Sequence, residues 1–272
     1  MKSLRFIFLL FGLLILTACS TPLFHKASQY DFPGKNAEQI FATGQESLVE
    51  GKYDMAVKAF EYLQVNYPFS AKSEQTDVEL IYAYYMDSNP VAAKAAAERY
   101  IHMYPRSKDV DYAYYMRALG SFIENRTTPQ KYLPIDLSQR ELTDAHQSYD
   151  EFTDLLTHFP DSAYNQDARQ RMVYLRNLFA QHEIVIANFY LERKAYVAAA
   201  NRAQIVITQY QQAPQVAEAL AILVKAYTQL NLPLLANDAL KTLQLNFPNS
   251  PELNAATGKD IPKAKVNWWQ KF

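Results

Sequence analysis

The chain has 272 residues, 49% of them hydrophobic, with 27 Lys and Arg against 28 Asp and Glu, for a formal net charge of −1. A balance so near zero gives no case for non-specific binding to nucleic acid, which needs a basic field. The single cysteine, Cys19, excludes an intramolecular disulfide, a Cys–His nucleophile and a thiolate metal site.

The first segment reads as a secretory signal. Lys2 and Arg5 precede an apolar run, Phe6 to Leu16, that is too short to span a bilayer comfortably. Leu16-Thr17-Ala18-Cys19 follows and resembles a bacterial lipobox. This predicts a signal peptide over residues 1–18, removed before Cys19, and lipidation of Cys19 by N-acyl and S-diacylglycerol chains. Two or three such chains anchor a protein stably, at about 0.8 kcal/mol per buried CH₂. An ordinary signal peptide with a chance cysteine is the weaker reading. Serine rather than aspartate at position 20 points to the outer membrane. Residues 19–35 have no period, contain Pro22, Pro33 and Gly34, and read as a tether.

From Asn36 to Ser250 the pattern is helical, interrupted by only three glycines, with no alternating strand. Asn36 and Gln39 form a capping-box signature. In the first unit Gly44 marks a close helix approach, Tyr53, Ala56 and Phe60 follow, and Tyr67-Pro68-Phe69-Ser70 closes it. The same aromatic-Pro-x-Ser phrase returns at Tyr104-Pro105-Arg106-Ser107, Phe159-Pro160-Asp161-Ser162 and Phe247-Pro248-Asn249-Ser250, with a degenerate copy at Tyr210-Gln211-Gln212-Ala213. Successive copies stand 37, 55, 51 and 37 residues apart. The regular intervals fit tetratricopeptide repeats, helix pairs of about 34 residues. Asn89 before Pro90 reads as an N-cap with proline in the first turn. The recurrent serine is expected to cap the following helix.

The two long intervals have different causes. In the third unit the excess is Asn125 to Ser138, a loop carrying Pro129 and Pro134. In the fourth, residues 163–192 lack Gly and Pro. Ala168, Met172, Leu175, Phe179, Ile186 and Phe189 recur there at helical spacing, with a gap around His182. This predicts a helix of about thirty residues that projects beyond the array, its far end open to a partner. The fold class is therefore all-α, a solenoid of five tetratricopeptide-like helix pairs, about ten helices, with one long helix in the fourth unit.

No constellation carries catalysis. The five histidines are dispersed, and no phosphate loop or nucleophile motif occurs. Asp150-Glu151 reads as a solvated helix face. The chain is not expected to be an enzyme, and neither a metal site nor a cofactor other than the Cys19 lipid is expected. The tyrosines are the stronger signal. IYAYYM at 81–86 and DYAYYM at 111–116 are near-copies on the first helices of consecutive units. Neighbouring tyrosines on one helix diverge by about 100°, so some are core and some face a groove suited to an extended peptide. Candidate peptide-binding residues are Tyr67, Tyr82, Tyr84, Tyr85, Tyr114 and Arg117. Arg117 and Arg99 could pair with a peptide carboxylate, but for each a surface salt bridge is the favoured reading. Both tryptophans, Trp268 and Trp269, lie in the 251–272 tail, read as a cap on the last helix or else as an interaction peptide or a membrane-surface contact.

The lipobox, the five units, the YPFS turn at 67–70, the VELIYAYYM and VDYAYYMRALG segments at 78–86 and 110–120, and the third-unit loop together resemble the BamD family. These are lipoproteins of the outer-membrane β-barrel assembly machinery. The resemblance runs from Cys19 to about Pro248 and leaves the tail unmatched. It implies a lipid-anchored scaffold on the periplasmic face of the outer membrane. It implies that repeats 1–3 (36–160) recognise the C-terminal signal of unfolded outer-membrane proteins. Repeats 4–5 (161–250) would dock on the barrel subunit BamA, and smaller assembly lipoproteins would also bind. Arg202 matches a family position associated with the BamA contact. The alternative is a tetratricopeptide lipoprotein acting as adaptor for a cell-wall synthase or protease. A wall-cleaving enzyme would need a further domain that the residues after Pro248 cannot encode.

Overall fold

The computed structural model describes residues 32–124, 137–139 and 141–256. Cys19, the tether up to residue 31, loop residues 125–136 and the tail from 257, with Trp268 and Trp269, lie outside the described residues. The described residues form eleven α-helices and no strand. They group into two compact units, meeting in sequence between Ser73 and Glu74.

The first unit holds α1 (Ala37–Val49) and α2 (Tyr53–Asn66). The Asn36 side chain accepts from the Gln39 amide at 2.9 Å, and the Gln39 side chain accepts from the Asn36 amide at 3.0 Å, so the capping box forms as read. Gly44 lies against Phe60, and a Cβ there would overlap the phenyl ring. Absence of a side chain at Gly44 is thus what lets α1 touch α2 over a fully buried Phe60.

The second unit continues the pairs. These are α3 (Ser73–Met86) with α4 (Pro90–Met103), α5 (Val110–Glu124) with α6 (Thr143–His158), α7 (Asn165–Glu192) with α8 (Tyr196–Gln209), and α9 (Val216–Gln229) with α10 (Pro233–Asn246). A short α11 (Pro251–Ala256) follows. Asn89 caps α4 by accepting from the Ala92 amide at 3.1 Å, with Pro90 at the first helical position. A 3₁₀ turn, Leu137–Gln139, precedes α6.

All five copies of the phrase make one turn. The amide of the fourth residue donates to the carbonyl of the aromatic: Ser70 to Tyr67, Ser107 to Tyr104, Ser162 to Phe159, Ala213 to Tyr210 and Ser250 to Phe247, at 2.8–3.1 Å. The serine hydroxyls accept from amides two or three residues on, at Lys72, Asp109, Tyr164 and Leu253. The hydroxyls of Ser70, Ser107 and Ser162 thus close the turn ahead of the next helix rather than cap it, and only that of Ser250 reaches an amide inside the following helix, at Leu253. Ala213 has no hydroxyl and is instead buried.

The long helix exists, with 28 residues, but it does not project. Its first half, Ala168, Leu175 and Phe179, joins the core of α3–α6; its second half, Ala180, Ile184 and Ala187, joins the core of α8 and α9. Phe179 and Ala180 are adjacent, so the two buried stripes are turned about 100° apart. A single stripe extended through Ile186 and Phe189 therefore misplaces the second half. Phe189 is 47% exposed, with the Arg193 guanidinium 3.6 Å from its ring centre. The break in the pattern at His182 is where α7 meets the 3₁₀ turn: His182 Nδ1 lies 2.6 Å from the Ser138 carbonyl oxygen.

Candidate functional site

The tyrosine repeats place six rings on α3 and α5, and packing sorts them into separate faces. Tyr82 is 39% exposed, whereas Tyr84, Tyr85, Tyr112, Tyr114 and Tyr115 are partly buried against the α3–α7 core. Divergence of about 100° per residue produces this split, as the helical period requires.

One face runs from α5 to α7. Tyr115 stacks on Tyr164 with ring centres 4.8 Å apart, and Tyr112 meets the same ring at 5.6 Å. The Tyr115 hydroxyl donates to Asp167 at 2.7 Å, and Arg171 forms an ion pair with that carboxylate one turn along α7. Arg171 also lies over the Phe122 ring at 5.0 Å. Burial pushes the Tyr115 hydroxyl up to about 12, with the Asp167 hydrogen bond acting in the same direction. Partial burial pushes the Asp167 carboxyl up, but hydrogen bonds from Arg171 and Tyr115 outweigh it and hold the group below the usual range. Tyr112, close to Tyr82 and Glu79, is raised further, mainly by burial. This face is aromatic and hydrogen-bonded, with the exposed Tyr82 beside Tyr112.

A second cluster joins α5 to α6. Tyr114 sits edge-on to Phe159 at 5.1 Å and under the Arg117 guanidinium at 4.9 Å. Arg117 is 17% exposed and donates to Asp154 at 2.9 Å. The carboxylate held by Arg117 is therefore internal. Arg99 likewise lies 3.9 Å from Asp77. Tyr67 belongs to the first unit, where its ring lies 6.5 Å from that of Tyr62. Phe69, in the same turn, is 98% exposed.

Arg202 on α8 pairs with Glu183 on α7 at 3.1 Å and keeps 40% of its side chain exposed. Nearby, Lys194, Tyr196, Val197, Asn201 and Leu230 line an open depression of about 450 Å³. The sequence reading missed Tyr164, Asp167 and Arg171, whose only signal was their place at the start of the long helix. It also misread Glu151, which is buried rather than solvated: it accepts from Ser121 at 2.7 Å and faces Lys94. Asp150, its neighbour, is exposed as expected. Among the described residues no group of acidic, histidine or cysteine side chains is placed to hold a metal ion, and no helix is long and apolar enough to cross a membrane.

The profile of a family described as outer membrane lipoprotein, YfiO, matches residues 33–243. The chain is 38% identical over 235 residues to the outer membrane protein assembly factor BamD of Neisseria meningitidis serogroup A, covering 86% of each chain. It is 36% identical to the factor of that name from Neisseria gonorrhoeae, over 94% of this chain and 95% of the relative. The corresponding factor of Xylella fastidiosa strain Temecula1 is 35% identical, over 85% of this chain and 78% of its own length.

Proposed function

This chain belongs to the BamD family of outer membrane lipoproteins, and from that premise we propose that it is the lipid-anchored, non-catalytic scaffold of a β-barrel assembly complex. Its role is in outer-membrane protein assembly, and it is associated with the outer membrane. We assign the anchor to Cys19, the location to the periplasmic face, recognition of C-terminal signals of unfolded barrel proteins to repeats 1–3, and docking on a BamA-like subunit, alongside other assembly lipoproteins, to repeats 4–5. The observation that carries the reading is the family match across nearly all the described helices, joined to the tyrosine-bearing first helices.

The packing ranks the peptide-binding candidates. Tyr82 leads as the exposed ring; Tyr67 is half-buried beside Tyr62, and Tyr84, Tyr85, Tyr114 and Arg117 are committed to core or internal contacts. A photo-reactive residue placed at Tyr82 or Tyr67 is expected to crosslink to a peptide ending in a barrel protein's aromatic residue and carboxylate. Placed at Tyr84 or Tyr114 it should give less product. No product at either Tyr82 or Tyr67 overturns the assignment to repeats 1–3.

Arg202→Glu should reduce co-purification with the barrel subunit. Glu183→Gln, which releases Arg202 from its internal partner but keeps its charge, should not. Both variants are compared after circular dichroism shows native helix content. Wild-type co-purification of Arg202→Glu would remove Arg202 from the docking surface.

A further inference from the structure

Three helices from two consecutive repeats converge on one buried carboxylate. Glu151 of α6 accepts from Ser121 of α5 at 2.7 Å and from Gln147 at 3.1 Å. The Lys94 ammonium of α4 lies 3.4 Å from the same side chain. Lys94 and Glu151 keep only 15% and 9% of their side-chain exposure. One turn earlier on α6, Ser148 donates to the Ala118 carbonyl of α5 at 2.9 Å. Gly120 makes the approach possible: a Cβ there would stand 2.9 Å from Lys94 Cβ and 3.1 Å from the Pro90 carbonyl oxygen.

The core shared by these three helices holds large side chains, Tyr100, Leu119, Phe122 and Phe152 among them, but also a run of small ones. Ala93, Ala96 and Ala97 of α4, Ala118 of α5 and Ala145 of α6 are all buried. Small apolar side chains pack closely, yet they distinguish poorly between one register and a neighbouring one. A buried charge pair behaves in the opposite way. Its attraction is largely cancelled by desolvation, but a shifted register would leave both charges buried and unpaired.

We infer that Lys94, Glu151 and Ser121 form a register lock between the second and third repeats. They are positioning residues that fix α5, and with it the face bearing Tyr112 and Tyr115, at one setting against α4 and α6. The lock adds specificity of packing and little net stability. The inference stands on the second unit's geometry alone and is independent of which partner the tyrosine face meets.

The test uses the full chain with Cys19→Ala, so that no other thiol reacts, and spin labels at Ala95→Cys on α4 and Asp150→Cys on α6, both exposed positions. Lys94→Met and Glu151→Gln each strand one buried charge, and each should raise the unfolded population on the order of 10²- to 10³-fold, seen as a lower urea midpoint. Lys94→Met with Glu151→Met removes both charges and leaves Ser121 able to bond within its own helix. That double variant should recover the wild-type midpoint while the interlabel distance distribution broadens or gains a second peak. A double variant with the native narrow distribution overturns the inference. So does one whose loss of stability equals the sum of the two single losses, since the pair would then be an ordinary stabilising contact. If the double variant fails to fold, Lys94→Arg decides. It retains the charge pair, so it must keep the narrow distribution, and broadening there refutes the lock.

Discussion

Tyrosine hydroxyls carry the clearest record of burial at the scale of single residues. Burial pushes those of Tyr100, Tyr104 and Tyr115 up to about 12. Tyr100 is fully buried and shares its hydroxyl with Ser107 at 2.7 Å, while Tyr104 donates to the buried Asp77 at 3.1 Å. In the unfolded chain these groups ionise near the ordinary value of about 10. Above that pH the unfolded state holds fewer protons than the native state, so stability falls as pH rises. The contribution is complete below about pH 10 and is lost between about pH 10 and 12. An alkaline titration followed by tyrosinate absorbance should show two phases among the 20 tyrosines, exposed rings first and the rest together with loss of helical circular dichroism. A single phase near pH 10 with intact helices would contradict the burial. That these rings would divide between core and surface was legible from the helical period. Which ring went where was not, because spacing fixes only the angle between side chains and not the neighbour that each angle meets.

At the scale of elements, the degenerate fourth phrase is the informative case. Tyr210 has φ −121° and ψ 42°, close to Tyr67, Tyr104, Phe159 and Phe247, each of which precedes a proline. The turn hydrogen bond from Ala213 to Tyr210 is also kept, at 2.8 Å. The local backbone is therefore already one that proline accepts. Gln211→Pro should stabilise the chain by about 0.4–1 kcal/mol, through lost freedom of the unfolded state, as a higher urea midpoint with unchanged slope. Destabilisation would mean that the Gln211 amide or side chain has a role the turn does not reveal. Helix caps and phrase positions were legible in the sequence because they are local chemistry. The two-stripe burial of α7 was not: one helical pattern with a gap at His182 contains both stripes, and only the separate cores around Phe179 and Ile184 select them.

At the scale of the whole molecule, the proposed attachment to the membrane through Cys19 is open to a direct test. Cys19→Ala should move the protein out of the outer-membrane fraction on cell fractionation, as a soluble or uncleaved form. Retention at wild-type level would place the attachment elsewhere. The sequence by itself determined the repeat architecture, the caps, the long helix and the family, because periodicity, proline spacing and cap chemistry act over a few residues and survive in a linear reading. Only the tertiary structure decided that Arg117 and Arg202 already hold internal carboxylates, that Glu151 is buried on a lysine, and that Tyr82 rather than Tyr84 meets solvent. Those outcomes depend on which helices meet. Partners such as Arg117 and Asp154, or Lys94 and Glu151, stand 37 and 57 residues apart and find each other only through packing.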